Sequence, residues 1–200
     1  MEIGNLKMAG ELPEKKYPTI ACCGLDCGLC PVYYTKGPSR CPGCFGHNFS
    51  NKHPSCSIIT CCVKKHSFET CADCNEFPCS KINMWDKHDS FISHKVSLSN
   101  LRLIKQKGLD HFLKQQQRRI ELLEDMLENF NEGRSKSFYC IASALLLIED
   151  LENALERTNT QIKDEKINIK DLKTKSKILR ENLNRLANQN SIELKLKRNK

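Results

Sequence analysis

The chain of 200 residues has no apolar run long enough to cross a bilayer, and its first twenty residues lack the apolar segment of a secretory signal. These absences predict a soluble, cytoplasmic protein with no membrane contact. Aromatic residues are scarce at 6%, with one tryptophan, and apolar residues reach only 39%, below the usual share for a globular domain. There is no P-loop, no dinucleotide-binding glycine motif, no nucleophile elbow and no His-Glu-x-x-His. Without any of these constellations, the chain leans away from an enzyme.

What it has in excess is cysteine. Twelve of its thirteen cysteines fall between Cys22 and Cys79. Such density means either a disulfide scaffold or metal binding, and disulfides persist only in an oxidising compartment. Spacing favours metal. Cys27/Cys30, Cys41/Cys44 and Cys71/Cys74 each read C-x-x-C, which sets two thiolates on one tight turn facing one cation. In Cys41-Pro42-Gly43-Cys44 the proline suits φ near −65° and the glycine suits positive φ, the needs of a type II turn. Such a turn also aims backbone N–H groups at sulfur.

Cys27, Cys30, Cys41 and Cys44 give C-x2-C-x10-C-x2-C, close to a four-thiolate zinc ribbon. Cys71, Cys74 and Cys79 supply three more ligands, with Cys56, Cys61 or Cys62 as the fourth, and Cys23 with Cys56 completes a third or shared site. Neighbouring side chains point apart, so Cys22/Cys23 and Cys61/Cys62 each give at most one ligand to a given metal. His47, His53 and His66 are substitute ligands, although a surface loop is the plainer reading of each. Zinc, two or more ions, is the first choice for tetrahedral thiolate sites. An iron–sulfur cluster is the alternative: Cys23-x3-Cys27-x2-Cys30 has the spacing of a radical S-adenosylmethionine loop, but the chain is too short for that barrel, which leaves a simple electron-carrying cluster.

The organisation follows from punctuation and period. Residues 1–18 read as a flexible lead-in. Residues 19–80 form an irregular cysteine-rich module with too few large apolar side chains to hold a core alone, so metal would supply on the order of 10 kcal/mol or more per site. Short helical turns are expected after Cys30 (Val32, Tyr33, Tyr34) and from Cys61 to His66. Residues 81–156 form an all-α domain: one helix closing near Gly108, a second ending by Gly133, and a third capped by Ser137 and running from about Phe138 to Glu156. Its first half is apolar nearly all round and must be buried, with Cys140 as a small hydrophobe. In residues 157–200, Ile162, Ile169, Leu172, Leu179, Leu183 and Leu186 form a heptad seam broken by Glu165 and Ser176. The fold class is therefore a small metal-stabilised module, an all-α domain and a C-terminal coiled-coil-like amphipathic helix. That last segment packs back or self-associates. It also carries the whole formal excess of charge, 13 basic against 5 acidic residues for a net +8, whereas two four-thiolate zinc sites would make the body acidic by about four charges.

Cys23-Gly24-Leu25-Asp26-Cys27-x-x-Cys30-Pro31, then Cys41-x-Gly43-Cys44, Cys56 and Cys61 or Cys62, then Cys71-Ala72-Asp73-Cys74-Asn75-Glu76-Phe77-Pro78-Cys79, together resemble the cysteine-rich family of domain of unknown function 3795. Gly133-Arg134-Ser135-Lys136-Ser137-Phe138-Tyr139-Cys140 is similar to longer members. The likeness runs over roughly residues 20–156. It implies a metal-bound module, assigns no activity, and leaves the basic extension as an accessory.

Three functions compete. The first is a zinc-binding protein with a structural or interaction role, its module presenting a surface to a protein partner. Nucleic acid is a weaker partner, reached through the basic C-terminal arm or through Tyr33, Tyr34, Phe45 and Phe49 among Lys36, Arg40 and Lys52. The second is an iron–sulfur or thiol redox protein. The third is thiolate handling of a metal or metalloid.

Overall fold

The structure is a computed structural model that describes residues 15–52, 56–83 and 88–197; residues 1–14 of the expected lead-in, and His53, lie outside it. Proline and glycine interrupt residues 19–80, and only short elements form there. These are 3-10 turns at Cys27–Leu29, Phe49–Asn51 and Cys71–Asp73, a helix α1 (Ser57–Ile59) widening into a π-turn over Thr60–Lys65, and α2 (Ser80–Asn83). The turn expected from Cys61 to His66 is this π-turn, whereas Val32–Tyr34 lie in consecutive turns and not in a helix. Among the described residues the only extended pairing is one antiparallel bridge between Ile20 and Asp26.

The remainder is helical: α3 (Ser97–Lys107), α4 (Leu109–Asn129), α5 (Lys136–Leu145), α6 (Ile148–Asp164) and α7 (Leu172–Gln189). Gly108 separates α3 from α4 at φ +87, a conformation that closes a helix without the Cβ penalty. No helix among the described residues is long and apolar enough to cross a membrane.

Two apolar clusters organise the chain. The larger joins α4 to α7 around Leu123, Met126, Tyr139, Leu151, Leu179 and Leu183, and takes Leu29 from the cysteine module. The second lies inside the module. It gathers Ile20, Phe45, Phe49, Ile58, Ile59 and Ile82, and is completed by Leu101 and Ile104 of α3 and Phe112 of α4. The module's apolar side chains thus form a core only with helices supplied from later in the chain. Even the end of the lead-in takes part: Lys15 is buried, and its backbone N–H donates to the Phe45 carbonyl at 3.1 Å.

Two sequence expectations need correction. The single helix from Phe138 to Glu156 is two helices, α5 and α6, parted at Leu146–Leu147, whose backbone is extended. Arg119 of α4 explains the stop. Its guanidinium donates to the carbonyl oxygens of Ser143 and Leu146 at 2.7 and 2.6 Å, satisfying the orphan acceptors at the end of α5. Helix α5 also starts at Lys136, with Ser135 and not Ser137 at the cap position.

The other correction concerns the heptad seam. A turn after Asp164 breaks it, with Lys166 at φ +52, and Ile169 is left 80% exposed. Leu179, Leu183 and Leu186 enter the main cluster instead, so the extension is part of the core and not an accessory. Ser176, an apparent polar break, is buried for a purpose. Its hydroxyl lies 2.9 Å from both Ser135 Oγ and Tyr139 OH and donates to Glu132 Oε2 at 2.7 Å. Asn182 Nδ2 likewise donates to Thr158 Oγ1 of α6 at 2.9 Å. Buried, satisfied pairs of this kind set the axial register of α7 on its neighbours. Truncating Leu183 to alanine is expected to lower the unfolding free energy by about 2–5 kcal/mol, read as a reduced midpoint in urea denaturation. No change would detach α7 from the fold.

Candidate metal centre

The hairpin Ala21–Leu25 sets out the first sulfurs. Ala21 N–H donates to the Leu25 carbonyl, and Gly24 N–H donates back to Ala21, each at 2.9 Å. Gly24 sits at φ +82, and a Cβ there would fall 2.4 Å from the Ser97 carbonyl oxygen, so both the turn and the approach of α3 require glycine. Cys23 neighbours Cys27, Cys44 and Cys56, and Cys22 neighbours Cys44 and Cys62, so the two adjacent cysteines share Cys44.

Beyond the hairpin, two of the three C-x-x-C pairs are built alike. Cys27 and Cys71 each begin a 3-10 turn, and the i+3 cysteine donates its N–H to the carbonyl of the first: Cys30 to Cys27 at 3.2 Å, Cys74 to Cys71 at 3.3 Å. Side chains three apart eclipse in a 3-10 turn, which brings each thiol pair to one side. Thr70 and Asp73 fix the second turn reciprocally. The Thr70 hydroxyl accepts from Ala72 N–H at 3.2 Å, and the Asp73 carboxylate accepts from Thr70 N–H at 2.8 Å. The third pair differs. Gly43 takes φ +86 as expected, and it abuts Pro18, whose carbonyl accepts the Cys44 N–H at 2.9 Å.

The sulfurs fall into two groups. The first comprises Cys23, Cys27, Cys30, Cys41 and Cys44, with Cys56 at its margin. Backbone N–H groups reach its sulfurs: Leu25 toward Cys23, Cys44 toward Cys27, and Val32 and Tyr33 toward Cys30. The second is a run of neighbouring thiols, Cys44, Cys22, Cys62 and Cys71, and it shares Cys44 with the first. Beside it lies a recess lined by Cys61, Cys62, Cys71, Cys74 and Cys79 with His66, Phe68 and Phe77. His66 stacks on Phe68, 5.3 Å between ring centroids, and His47 is exposed.

Burial pushes the thiols of Cys23, Cys27 and Cys30 up from their ordinary value. In the second group, Cys22 is pushed up to about 12, with Cys44 lowering it and Cys62 raising it by hydrogen bonding. Buried Lys15 neighbours Cys22, Cys44 and Cys62 and opposes the rise; its ammonium donates to the Ile20 carbonyl at 2.8 Å and pairs with Glu69 at 3.5 Å. All thirteen cysteines are free thiols. Among the described residues no three His, Cys, Asp or Glu side chains converge as a formed metal site. The donor set nonetheless fits a soft cation in kind: sulfur only, grouped on short turns, with backbone amides directed at it. Cys22 was absent from the candidate ligands, yet it lies between Cys44 and Cys62. Only the doubling Cys22-Cys23 signals it in the sequence.

Helix α3 grips both cysteine loops. The Ser97 hydroxyl donates to the Cys23 carbonyl, and Asn100 Nδ2 to the Gly24 carbonyl at 3.0 Å. Lys105 Nζ donates to the carbonyls of Ala72 and Cys74 at 3.4 and 3.0 Å and lies 5.7 Å from the centre of the Phe77 ring. From α4, Gln116 donates to the Asp26 carboxylate and to the Thr19 carbonyl. Burial pushes Asp26 up to about 7, against Gln116 and Arg119, which lower it. None of these helix residues was marked by cysteine spacing.

Residues 19–84 match the model of the family described as Protein of unknown function (DUF3795), which bears out the resemblance carried by the cysteine motifs. The match spans the cysteine module and ends before α3. No curated protein and no solved structure gives a significant match.

Two outcomes test this geometry. Ser97→Ala leaves the Cys23 carbonyl without its partner in a buried position and is expected to cost about 1–3 kcal/mol in urea denaturation. A loss no greater than that of an exposed serine-to-alanine change would sink the role given to α3. For Asp26, the raised folded value means the native state binds the proton more tightly than the unfolded chain. Its penalty is absent below the unfolded value near 4, grows through the interval up to about 7, and is full above it. Asp26→Asn should therefore raise Tm over the parent at pH 8 and not at pH 4; a constant difference across that range contradicts the assignment.

Proposed function

We propose that the chain is a zinc-binding protein in which thiolate-held metal fastens residues 19–84 to the helices and presents an ordered surface to a protein partner. The observation that supports this reading is the gathering of the sulfurs into two groups that meet at Cys22, Cys23 and Cys44, with α3 bonded to the loops of both. Four among Cys23, Cys27, Cys30, Cys41, Cys44 and Cys56 hold one ion, and four among Cys22, Cys61, Cys62, Cys71, Cys74 and Cys79 hold the other. Zinc supplies charge and a four-way cross-link, without redox chemistry.

The role is structural because the ligands sit on the module's own turns and the chain carries no catalytic motif. The partner surface is the loop from Thr35 to Arg40. It is largely exposed, yet ordered by Lys52, whose ammonium donates to the Pro38 and Arg40 carbonyls at 3.0 and 3.1 Å. Arg40 lies over the Tyr33 ring at 5.0 Å, an aromatic–cation pair of the sort enriched where proteins meet.

Metal analysis and absorbance of anaerobically purified protein test the reading. About two zinc ions per chain and a colourless solution are expected, because two groups of four or more thiols are available. Since zinc takes cysteine as the thiolate, loading zinc onto the stripped chain must release protons, up to about one per ligating cysteine, and affinity must fall in acid. A brown protein absorbing near 400 nm would replace zinc with an iron–sulfur cluster, and variable stoichiometry would favour thiolate capture of soft cations. Chelation should expose the backbone amides of residues 19–84 to hydrogen exchange while most helical circular dichroism persists, because the α4–α7 cluster takes only Leu29 among its buried members from the module.

A further inference from the structure

A cleft of about 800 Å³ opens between the first turn of α5, α7 and the segment 193–197. Four cations line it, Arg134, Arg180, Lys195 and Lys197, against one carboxylate, Glu193. Its rim carries Phe91, whose side chain is 69% exposed. The walls are held in place. Asp89 N–H donates to the Lys197 carbonyl at 3.0 Å, Lys197 N–H donates to Asp89 Oδ2 at 2.7 Å, and Asp89 Oδ1 accepts from His94 N–H at 2.7 Å. One carboxylate thus ties the segment bearing two lysines to the loop bearing Phe91. On the facing wall the Arg180 guanidinium stacks 4.7 Å from the Phe138 ring centre and bonds Ser135 at 3.2 Å, which orients it at little further entropic cost.

Cations in excess within a concave site draw an anion, and an open aromatic face draws a flat ring. A simple anion would have no use for Phe91, and a greasy ligand none for the arginines. We propose that this cleft binds a nucleoside phosphate, its phosphate between Arg134, Arg180 and the two lysines and its base against Phe91. The chemistry is shared by a free nucleotide and by one unit of a single strand. It is independent of the metal proposal, since of all the cysteine module only Pro31 touches the cleft. The start of α5 adds to it without carrying it. No side chain caps that helix, the Ser135 hydroxyl being turned to Glu132 and Ser176, and Ser137 in its first turn lines the cleft.

The test uses the whole chain as purified, with adenosine monophosphate followed by calorimetry and a fluorescein-labelled ten-residue oligothymidylate by anisotropy. Phe91→Ala and Arg134→Ala change exposed side chains and should leave the thermal midpoint intact. Each is expected to weaken binding about tenfold, from a lost stack and a lost phosphate contact. Lys177→Ala removes a charge from α7 outside the cleft, where the side chain is 76% exposed, and should change affinity by less than about twofold. Binding of the mononucleotide identifies a free nucleotide as ligand, binding of the oligonucleotide alone a strand, and either supports the cleft. The proposal falls if neither binds, if Phe91→Ala is silent, if Lys177→Ala matches Arg134→Ala, or if inorganic phosphate competes as well as adenosine monophosphate.

Discussion

Backbone carbonyls of the cysteine loops depend on donors that the loops themselves do not contain. Short turns rich in glycine and proline leave acceptors over, and burying such a group unpaired is costly. Helix α3 meets that need with Ser97, Asn100 and Lys105, which reach the carbonyls of Cys23, Gly24, Ala72 and Cys74. The placement of sulfur, the fit of Gly24 against Ser97 and the completion of the module's apolar cluster by Leu101 and Ile104 all follow from that one docking.

The helical half answers to a different constraint. Its core is sealed by apolar contact, but its register is written in buried polar pairs. Ser176 reaches Glu132, Ser135 and Tyr139, and Asn182 reaches Thr158. Arg119 satisfies the end of α5 while its charge stands near Asp26. A single residue of α4 therefore touches the fold of α5 and the electrostatics of the cysteine hairpin at once.

Local patterns were legible in the amino-acid sequence wherever one turn or one helix face decides the outcome. The C-x-x-C pairs announced their turns, Gly43 its positive φ and Gly108 a helix end. What stayed hidden depends on partners far along the chain. The arrest of α5 at Leu146 is caused by Arg119, 27 residues earlier. The seam of α7 left packing back and self-association both open, because nothing in residues 157–200 reveals that Tyr139 and Leu155 wait to receive it. At the sulfur groups, spacing named the ligand-like cysteines but missed Cys22, since adjacency says only that two side chains diverge. It also gave no sign of Lys15 or of α3, whose contributions come from polar residues of ordinary appearance.

Cys44 stands beside both Cys22 and Cys23, so the dipeptide and that one thiol form the place where the two sulfur groups meet. Adding or removing a single residue between Ile20 and Gly24 would break the pairing of Ala21 with Leu25 and carry Gly24 away from the Ser97 carbonyl that it abuts. The length of this hairpin is therefore fixed from two sides, by its own closure and by the helix that docks on it.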